Sequence, residues 1–212
     1  MNIQETRNSL MAEKLIKNLQ KRHYDAYYCP KCNDIRDKVK ELIPEGSSIS
    51  WGGSYTIRDS GVTTMLKEGN YHVFDRDDVT TSEDKLRIYR KAFECDYYLA
   101  SVNAMSEDGV IVNIDGNGNR VAAITWGPEH VILIVSLNKV CQDVDAAIKR
   151  ARSTAAPINM ARFDLPKTPC KVDGLCHDCL SADSICNYVS IQRMSHPAHR
   201  HIVLLTNEIL GY

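Results

Sequence analysis

The chain has 212 residues, 43% of them apolar, which is enough to build a full hydrophobic core, and one domain spanning residues 1–212 is the simplest organisation. Its 26 basic and 27 acidic residues leave a formal net charge of -1, so no global field draws it to nucleic acid or to an anionic membrane. No apolar run approaches the ~20 residues of a membrane span, the N-terminal residues carry no apolar signal segment, and eight cysteines in such a chain predict reduced or metal-bound thiols in the cytoplasm.

Leu10, Met11, Leu15, Ile16 and Leu19 recur at three- and four-residue steps and predict an amphipathic helix. A short strand is expected at 26–28. Cys29 and Cys32 follow as an isolated C-x2-C, readable as a redox pair, as half of a metal site or as coincidence. The next helix carries Ile35, Val39 and Leu42 and must stop before Pro44. A strand at 48–51 then runs into Gly52-Gly53-Ser54 and a helical run with Ile57, Val62, Met65 and Leu66. A glycine turn between strand and helix leaves backbone N–H groups free to hold an anion, although the same turn also serves plain geometry. A strand at 71–74, a helix holding Leu86, Tyr89, Ala92 and Phe93, and a strand at 97–101 continue the alternation. That rhythm belongs to a largely parallel sheet flanked by helices, the α/β class.

Residues 101–135 form the stretch around which the rest is arranged. Val110, Ile111, Val112 and Ile114 form one apolar run, and Val121 to Ile124 form a second. Between them lies Asp115-Gly116-Asn117-Gly118-Asn119, whose Gly and Asn residues tolerate positive φ, so the expectation is a tight hairpin. The run 131–135 is apolar throughout, as a strand covered on both faces should be. A hairpin in a parallel rhythm makes the predicted sheet mixed, mainly parallel. Asn113, Asn119 and Arg120 sit where these strands end and are candidate ligand contacts, across a cleft from Gly52, Gly53 and Ser54. Glu107 and Asp108 are adjacent, so they point apart and cannot act as a close acid/base pair, but one of them can face a pocket.

Downstream, Asp143 is placed to cap a helix through Val144, Ala147, Ile148 and Ala151, and the basic run 149–152 reads as its solvated face. Pro157 and Pro166 are expected to bracket a short helix or loop. A cysteine-rich segment, 166–190, follows. Cys170, Cys176, Cys179 and Cys186 are spaced C-x5-C-x2-C-x6-C, with Gly174 in the loop. Four thiolates can close a tetrahedral zinc site or hold an iron–sulfur cluster, and the spacing does not choose between them; free buried cysteines are the plain alternative. His196, His199 and His201 lack helical spacing and read as an exposed loop before a last strand at 202–205.

Asn103-Ala104, Glu107-Asp108-Gly109, the run VNIDGNGNRVAA and the Gly127-Pro128 turn resemble the signature of the LUD-domain family, the lactate utilization proteins. Ser50-Trp51-Gly52-Gly53-Ser54 and the cysteine cluster match in the expected order. The resemblance implies a fold like that of the CoA-transferase and sugar-phosphate isomerase superfamily, and a part in oxidising lactate to pyruvate beside other components of such a system. It implies a nucleotide- or CoA-like ligand near the glycine turn and makes Glu107 the catalytic candidate. Because lactate oxidation needs an exit for electrons, it favours iron–sulfur over zinc. Two readings from other classes stand beside it: a free-standing enzyme on a phosphorylated or CoA-linked small molecule, and a metal-stabilised assembly subunit without catalysis. An oligomer is compatible with all three.

Overall fold

The computed structural model describes residues 3–164 and 167–212; Pro166, and with it the first residue of the cysteine-rich segment, lies outside them. The chain opens with helix α1 (Ile3–Lys21) and strand β1 (Asp25–Tyr28), then α2 (Cys32–Leu42) and β2 (Ser48–Trp51). Two short helices, α3 (Tyr55–Asp59) and α4 (Val62–Glu68), lead to β3 (His72–Phe74), α5 (Ser82–Lys91) and β4 (Tyr97–Ala100). The central stretch supplies β5 (Ala104–Ser106), β6 (Ile111–Asp115), α6 (Asn119–Thr125) and β7 (His130–Ser136). The remainder is β8 (Val140–Cys141), α7 (Val144–Arg150), α8 (Ala156–Ala161), α9 (Pro169–Asp173), β9 (Tyr188–Gln192) and β10 (His201–Thr206).

Six strands make a wholly parallel sheet in the order β1-β10-β7-β4-β2-β3. Side chains alternate across a strand, and β7 shows what this does at the centre of the sheet. Val131, Leu133 and Val135 pack on one face with Leu15 and Leu19 of α1. Ile132 and Ile134 pack on the other with Ile35 and Val39 of α2 and Leu66 of α4. Every one of these side chains is fully buried, and burial stabilises by about 1.5–3 kcal/mol for each large aliphatic. Trp51 belongs to the second of these cores. No helix among the described residues is long and apolar enough to cross a membrane.

The antiparallel pairs are segregated into a second sheet of four strands, β8-β5-β6-β9, in which β6 runs antiparallel to both β5 and β9. Helix α7 and the turn that follows it cover this sheet, with Ala147 of α7 and Ala151 just beyond it against Ala104, Val112 and Ile114. The predicted α/β fold with parallel and antiparallel pairing is thus present, divided between two sheets.

The expected hairpin across 110–124 is not. Strand β6 ends at Asp115, and the second apolar run is helix α6. Gly118 turns the chain in the left-handed region at φ 76, where glycine carries no Cβ penalty. The Asp115 carboxylate then accepts the backbone N–H groups of Arg120 and Val121, both at 3.1 Å, satisfying donors that the first turn of a helix leaves orphaned. Once the turn is capped in this way, the spacing of Val121 and Ile124 puts both toward the core.

Pro157 stands in the first turn of the short helix α8, which holds Met160 as expected, but no break sets that helix off from α7. Residues 144–161 wind on without a break, through a π-helical turn at Ala151–Ala155. Proline has no N–H to give, and its ring would press on the carbonyl four residues back; the wider turn accommodates both.

Candidate functional site

Parallel strands leave their carboxyl ends along one edge, and loops from that edge build sites in α/β folds. Here the segments after β2, β3, β4 and β7 meet the turn before α6, and together they enclose a cavity of about 270 Å³. Gly53 and Ser54 come from the first of these segments, Arg76 from the second, Ser101 to Asn103 from the third and Lys139 from the fourth; Arg162 and Ile185 close the far side. Four basic side chains line the space (Arg76, Arg120, Lys139 and Arg162) against one carboxylate side chain, Asp115.

Arg120 is the tie of the site. Its Nη1 donates to Ser101 O at 3.1 Å and to Asn113 Oδ1 at 2.7 Å. Its Nη2 donates to Asn103 Oδ1 at 2.9 Å and to Ile114 O at 2.7 Å. Asn103 Oδ1 also accepts from Ile114 N at 2.9 Å. All four terminal N–H bonds of the guanidinium are therefore engaged, and Arg120 presents charge and methylene surface to the cavity. Gly52 permits this packing: a Cβ there would sit 3.0 Å from Arg120 Cδ and 3.1 Å from the Tyr98 hydroxyl.

Arg76 reaches the cavity with one terminal nitrogen engaged and one turned to the wall. Nη1 donates to the Tyr89 hydroxyl at 2.8 Å, whereas Nη2 lies against Gly53, where a Cβ would stand only 1.9 Å from it. Arg162 lies over the rings of Tyr55 and Phe163 at 5.5 and 4.9 Å.

Lys139 carries the strongest electrostatic signature. It is 2% exposed, and Nζ lies 2.9 Å from Thr56 Oγ1 and 3.1 Å from Ser101 Oγ. Desolvation, with the nearby charges of Arg150 and Arg120, pulls its ammonium down to about 7, and Asp59 opposes this weakly. Nothing in the pattern Leu137-Asn138-Lys139-Val140 announced it; a lone lysine in the turn just after a strand apolar from 131 to 135 was the only hint.

The structure brings Gly53, Ser54, Asn119 and Arg120 to this cavity. Gly52 and Asn113 stand behind its wall, Gly52 donating its N–H to Leu99 O and Asn113 buried beneath Arg120. Glu107 is elsewhere. It sits on the β5–β6 turn, at the end of the small sheet opposite Asn103 and Asp115, with its carboxylate 3.9 Å from Lys14. Asp108 beside it pairs with Arg22 at 2.5 Å. His201 is not in an exposed loop but buried in β10, held by Ser195 Oγ at 2.9 Å and near Ile124 O at 2.9 Å; burial pushes it down to about 4. Cys29 and Cys32 pack into the second core, and burial pushes the Cys29 thiol up to about 11, away from the thiolate a redox pair uses.

Cys170, Cys176, Cys179 and Cys186 line one small cavity of about 60 Å³ on the neighbouring loop, 167–187. Burial raises the Cys186 thiol, and the three other thiols add to that. Arg152 pairs with Asp178 at the rim, and His177 with Asp173 at 2.7 Å. Among the described residues no three Cys, His, Asp or Glu side chains are disposed to hold a metal ion as they stand. The loop also forms part of the first cavity. Ser184 lines both spaces, and Asn187 Nδ2 donates to Gly116 O at 3.0 Å.

Among solved structures, this chain is similar to a DUF162 family protein from Deinococcus radiodurans, with a TM-score of 0.55 at 8% identity, covering 94% of this chain and 97% of that one. A weaker likeness, TM-score 0.36 at 13% identity over 66% of this chain and 57% of the other, is to eIF2B delta from Chaetomium thermophilum. No curated protein matches. Residues 12–206 match the LUD domain, nearly the whole length, so the chain belongs to the LUD-domain family, the lactate utilization proteins.

Proposed function

We propose that this protein binds a small organic anion in the cavity at the carboxyl edge of its parallel sheet, as one component of a system that oxidises lactate to pyruvate. The observation that carries this reading is the imbalance of charge: three arginines, Arg76, Arg120 and Arg162, line the space beside the Lys139 amine, and the one carboxylate side chain, Asp115, is committed to α6 and to Arg120. A cavity of about 270 Å³ suits a small carboxylate, or the phosphate end of a nucleotide- or CoA-like molecule. Arg76 is held by the Tyr89 hydroxyl and Asp77, and Arg162 by the Tyr212 hydroxyl; a guanidinium has five N–H donors, so each keeps donors for a ligand, and Arg120 supplies charge.

Titration calorimetry of the full chain with lactate, pyruvate and inorganic phosphate tests the reading. Micromolar to millimolar binding of at least one is expected, weakened by salt; no binding of any of the three overturns it. Gly53→Val is the informative variant. Gly53 does not use a left-handed backbone, so valine is sterically allowed there, and the atom it would strike is the far end of a flexible side chain. The fold should hold while Arg76 is pushed off the wall. Loss of one charge-assisted contact predicts roughly tenfold weaker anion binding, with the thermal midpoint nearly unchanged. Binding equal to that of the parent removes Arg76 from the site.

The four-cysteine cavity belongs to the same reading. Its donor set suits a thiophilic centre: Cys170, Cys176, Cys179 and Cys186 would hold an iron–sulfur cluster or zinc. A cluster there would supply one-electron transfer beside the anion cavity, and zinc would supply a structural tie. What the chain itself contributes is a loop whose thiols repel one another as thiolates and whose Asn187 anchors it to the turn before α6. Anaerobic purification with metal analysis is expected to return iron with a visible chromophore, or zinc without one. Cys179→Ser should lower that metal content and speed hydrogen exchange across 167–187 well before the core sheet is affected. Metal-free protein with four freely titrating thiols in this loop overturns the metal reading.

A further inference from the structure

We infer that Lys139 is a nucleophile, and that its amine forms an imine with the carbonyl carbon of a small 2-oxo acid held in the cation-lined cavity. The inference rests on the proposed binding of organic anions there and adds a covalent step to it. Lysines this deeply buried ordinarily answer a carboxylate, and among the described residues none lies within ion-pair distance of Nζ. Its two polar neighbours are hydroxyls, Thr56 Oγ1 at 2.9 Å and Ser101 Oγ at 3.1 Å. Thr56 passes its own proton to Leu210 O at 3.2 Å, so its oxygen is left to accept from the amine. A neutral amine that gives one N–H to each hydroxyl keeps its lone pair uncommitted, and Lys139 borders the cavity.

The surroundings favour that neutral form. Arg120 and Arg150 repel a third positive charge, and burial removes the water that would stabilise it. At pH 7 the free-amine fraction is on the order of 10³-fold above that of an ordinary surface lysine. Buried amines beside other cations are activated in this way for carbonyl chemistry. The same cations that suppress the ammonium attract a carboxylate, so one arrangement selects an acid and exposes the amine to its neighbouring carbonyl. Gly211 leaves room for the Thr56 hydroxyl that holds the amine, since a Cβ there would stand only 2.6 Å from Thr56 Oγ1.

The step balances without a further reactant. The nitrogen lone pair attacks the carbonyl carbon, and the C=O π pair moves to oxygen, which takes up a proton as nitrogen loses one. The resulting carbinolamine loses its hydroxyl, together with the second nitrogen-bound proton, as water. The products are one C=N bond and one water, with no change of oxidation state. Ser101 Oγ, hydrogen-bonded to Nζ, is the hydroxyl placed to relay these protons.

The test is reductive trapping of the full chain with pyruvate and borohydride, read by intact mass and peptide mapping, beside calorimetric titration with pyruvate. A single adduct on the peptide containing Lys139 is expected, formed at least about tenfold faster than any surface adduct and with a rate that rises through about pH 7. Lys139→Met and Lys139→Arg should lose that adduct; circular dichroism shows whether each is folded, and the trapped peptide in the parent protein reports without any variant. Pyruvate that binds by calorimetry but leaves Lys139 unlabelled overturns the nucleophile and spares the anion site. Labelling spread over surface lysines, equal in parent and variant, also overturns it. Binding of lactate or phosphate without pyruvate overturns the 2-oxo acid, and binding of none of them overturns the anion site itself.

Discussion

Replacing Arg120 with leucine is expected to lower the unfolding free energy by roughly 3–5 kcal/mol, the cost of breaking a buried, fully hydrogen-bonded charge rather than of losing a surface contact. Its guanidinium serves four acceptors from two separate segments: Ser101 O and Asn103 Oδ1 between the sheets, and Asn113 Oδ1 and Ile114 O on β6. Its side chain is only 15% exposed. Leucine has similar bulk, so the cavity term is small, but each acceptor is left in a poorly hydrated place with no donor. Urea denaturation of the parent and the variant measures the difference directly. Arg120→Lys separates geometry from charge: one ammonium cannot span acceptors on both sides of the cleft, so about half of the loss should remain. Anion affinity should fall with both variants, more steeply for leucine. A leucine variant within about 1 kcal/mol of the parent would mean that water replaces the guanidinium at these acceptors, and Arg120 would then not be the tie between the sheets.

The two sheets share a buried core through Met105 and Ile111, and Arg120 adds a polar tie across their junction; periodicity registers the first of these and not the second. The all-apolar run of β7 and the alternation of strands and helices up to Ala100 follow from burial and periodicity alone, and those elements are where the pattern put them. Asp143 also caps its helix as its position suggests, accepting from Ala146 N at 2.8 Å. The run after Asp115 was misleading because four apolar residues fit a strand or a helix equally well. The decision lay in the Asp115 carboxylate reaching forward to two backbone N–H groups, a contact that periodicity cannot register. The Gly-Gly-Ser turn and the polar rim at 113–120 pointed to the edge of the sheet where the cavity lies. Their division of labour was hidden: Gly52 and Asn113 shape the wall, while Gly53, Ser54 and Asn119 face the space. Lys139 was concealed more completely. A lone lysine after a strand is commonplace, and only the three-dimensional closure by α3 and the segment 210–212 makes it a buried amine among arginines.

Lys139 should also dominate the pH dependence of stability. In the unfolded chain its amine titrates near 10.5, and in the folded protein near 7, so between these values the unfolded chain binds more protons. Unfolding free energy therefore rises with pH across that window. Below about pH 7 both states are protonated, the folded protein carries the full cost of a desolvated ammonium, and the contribution is flat. The difference between 10.5 and about 7 corresponds to roughly 5 kcal/mol at its limit. Lys139→Met removes that cost together with two hydrogen bonds worth about 1 kcal/mol each. At pH 6 the variant should thus be more stable than the parent by about 3 kcal/mol, an advantage that shrinks as pH rises, is gone near about pH 9 and is reversed by about pH 10. Comparing parent with variant at each pH cancels the thiols and histidines common to both. Denaturation curves for parent and variant that stay parallel from about pH 6 to 10 would show that Lys139 remains charged in the folded protein.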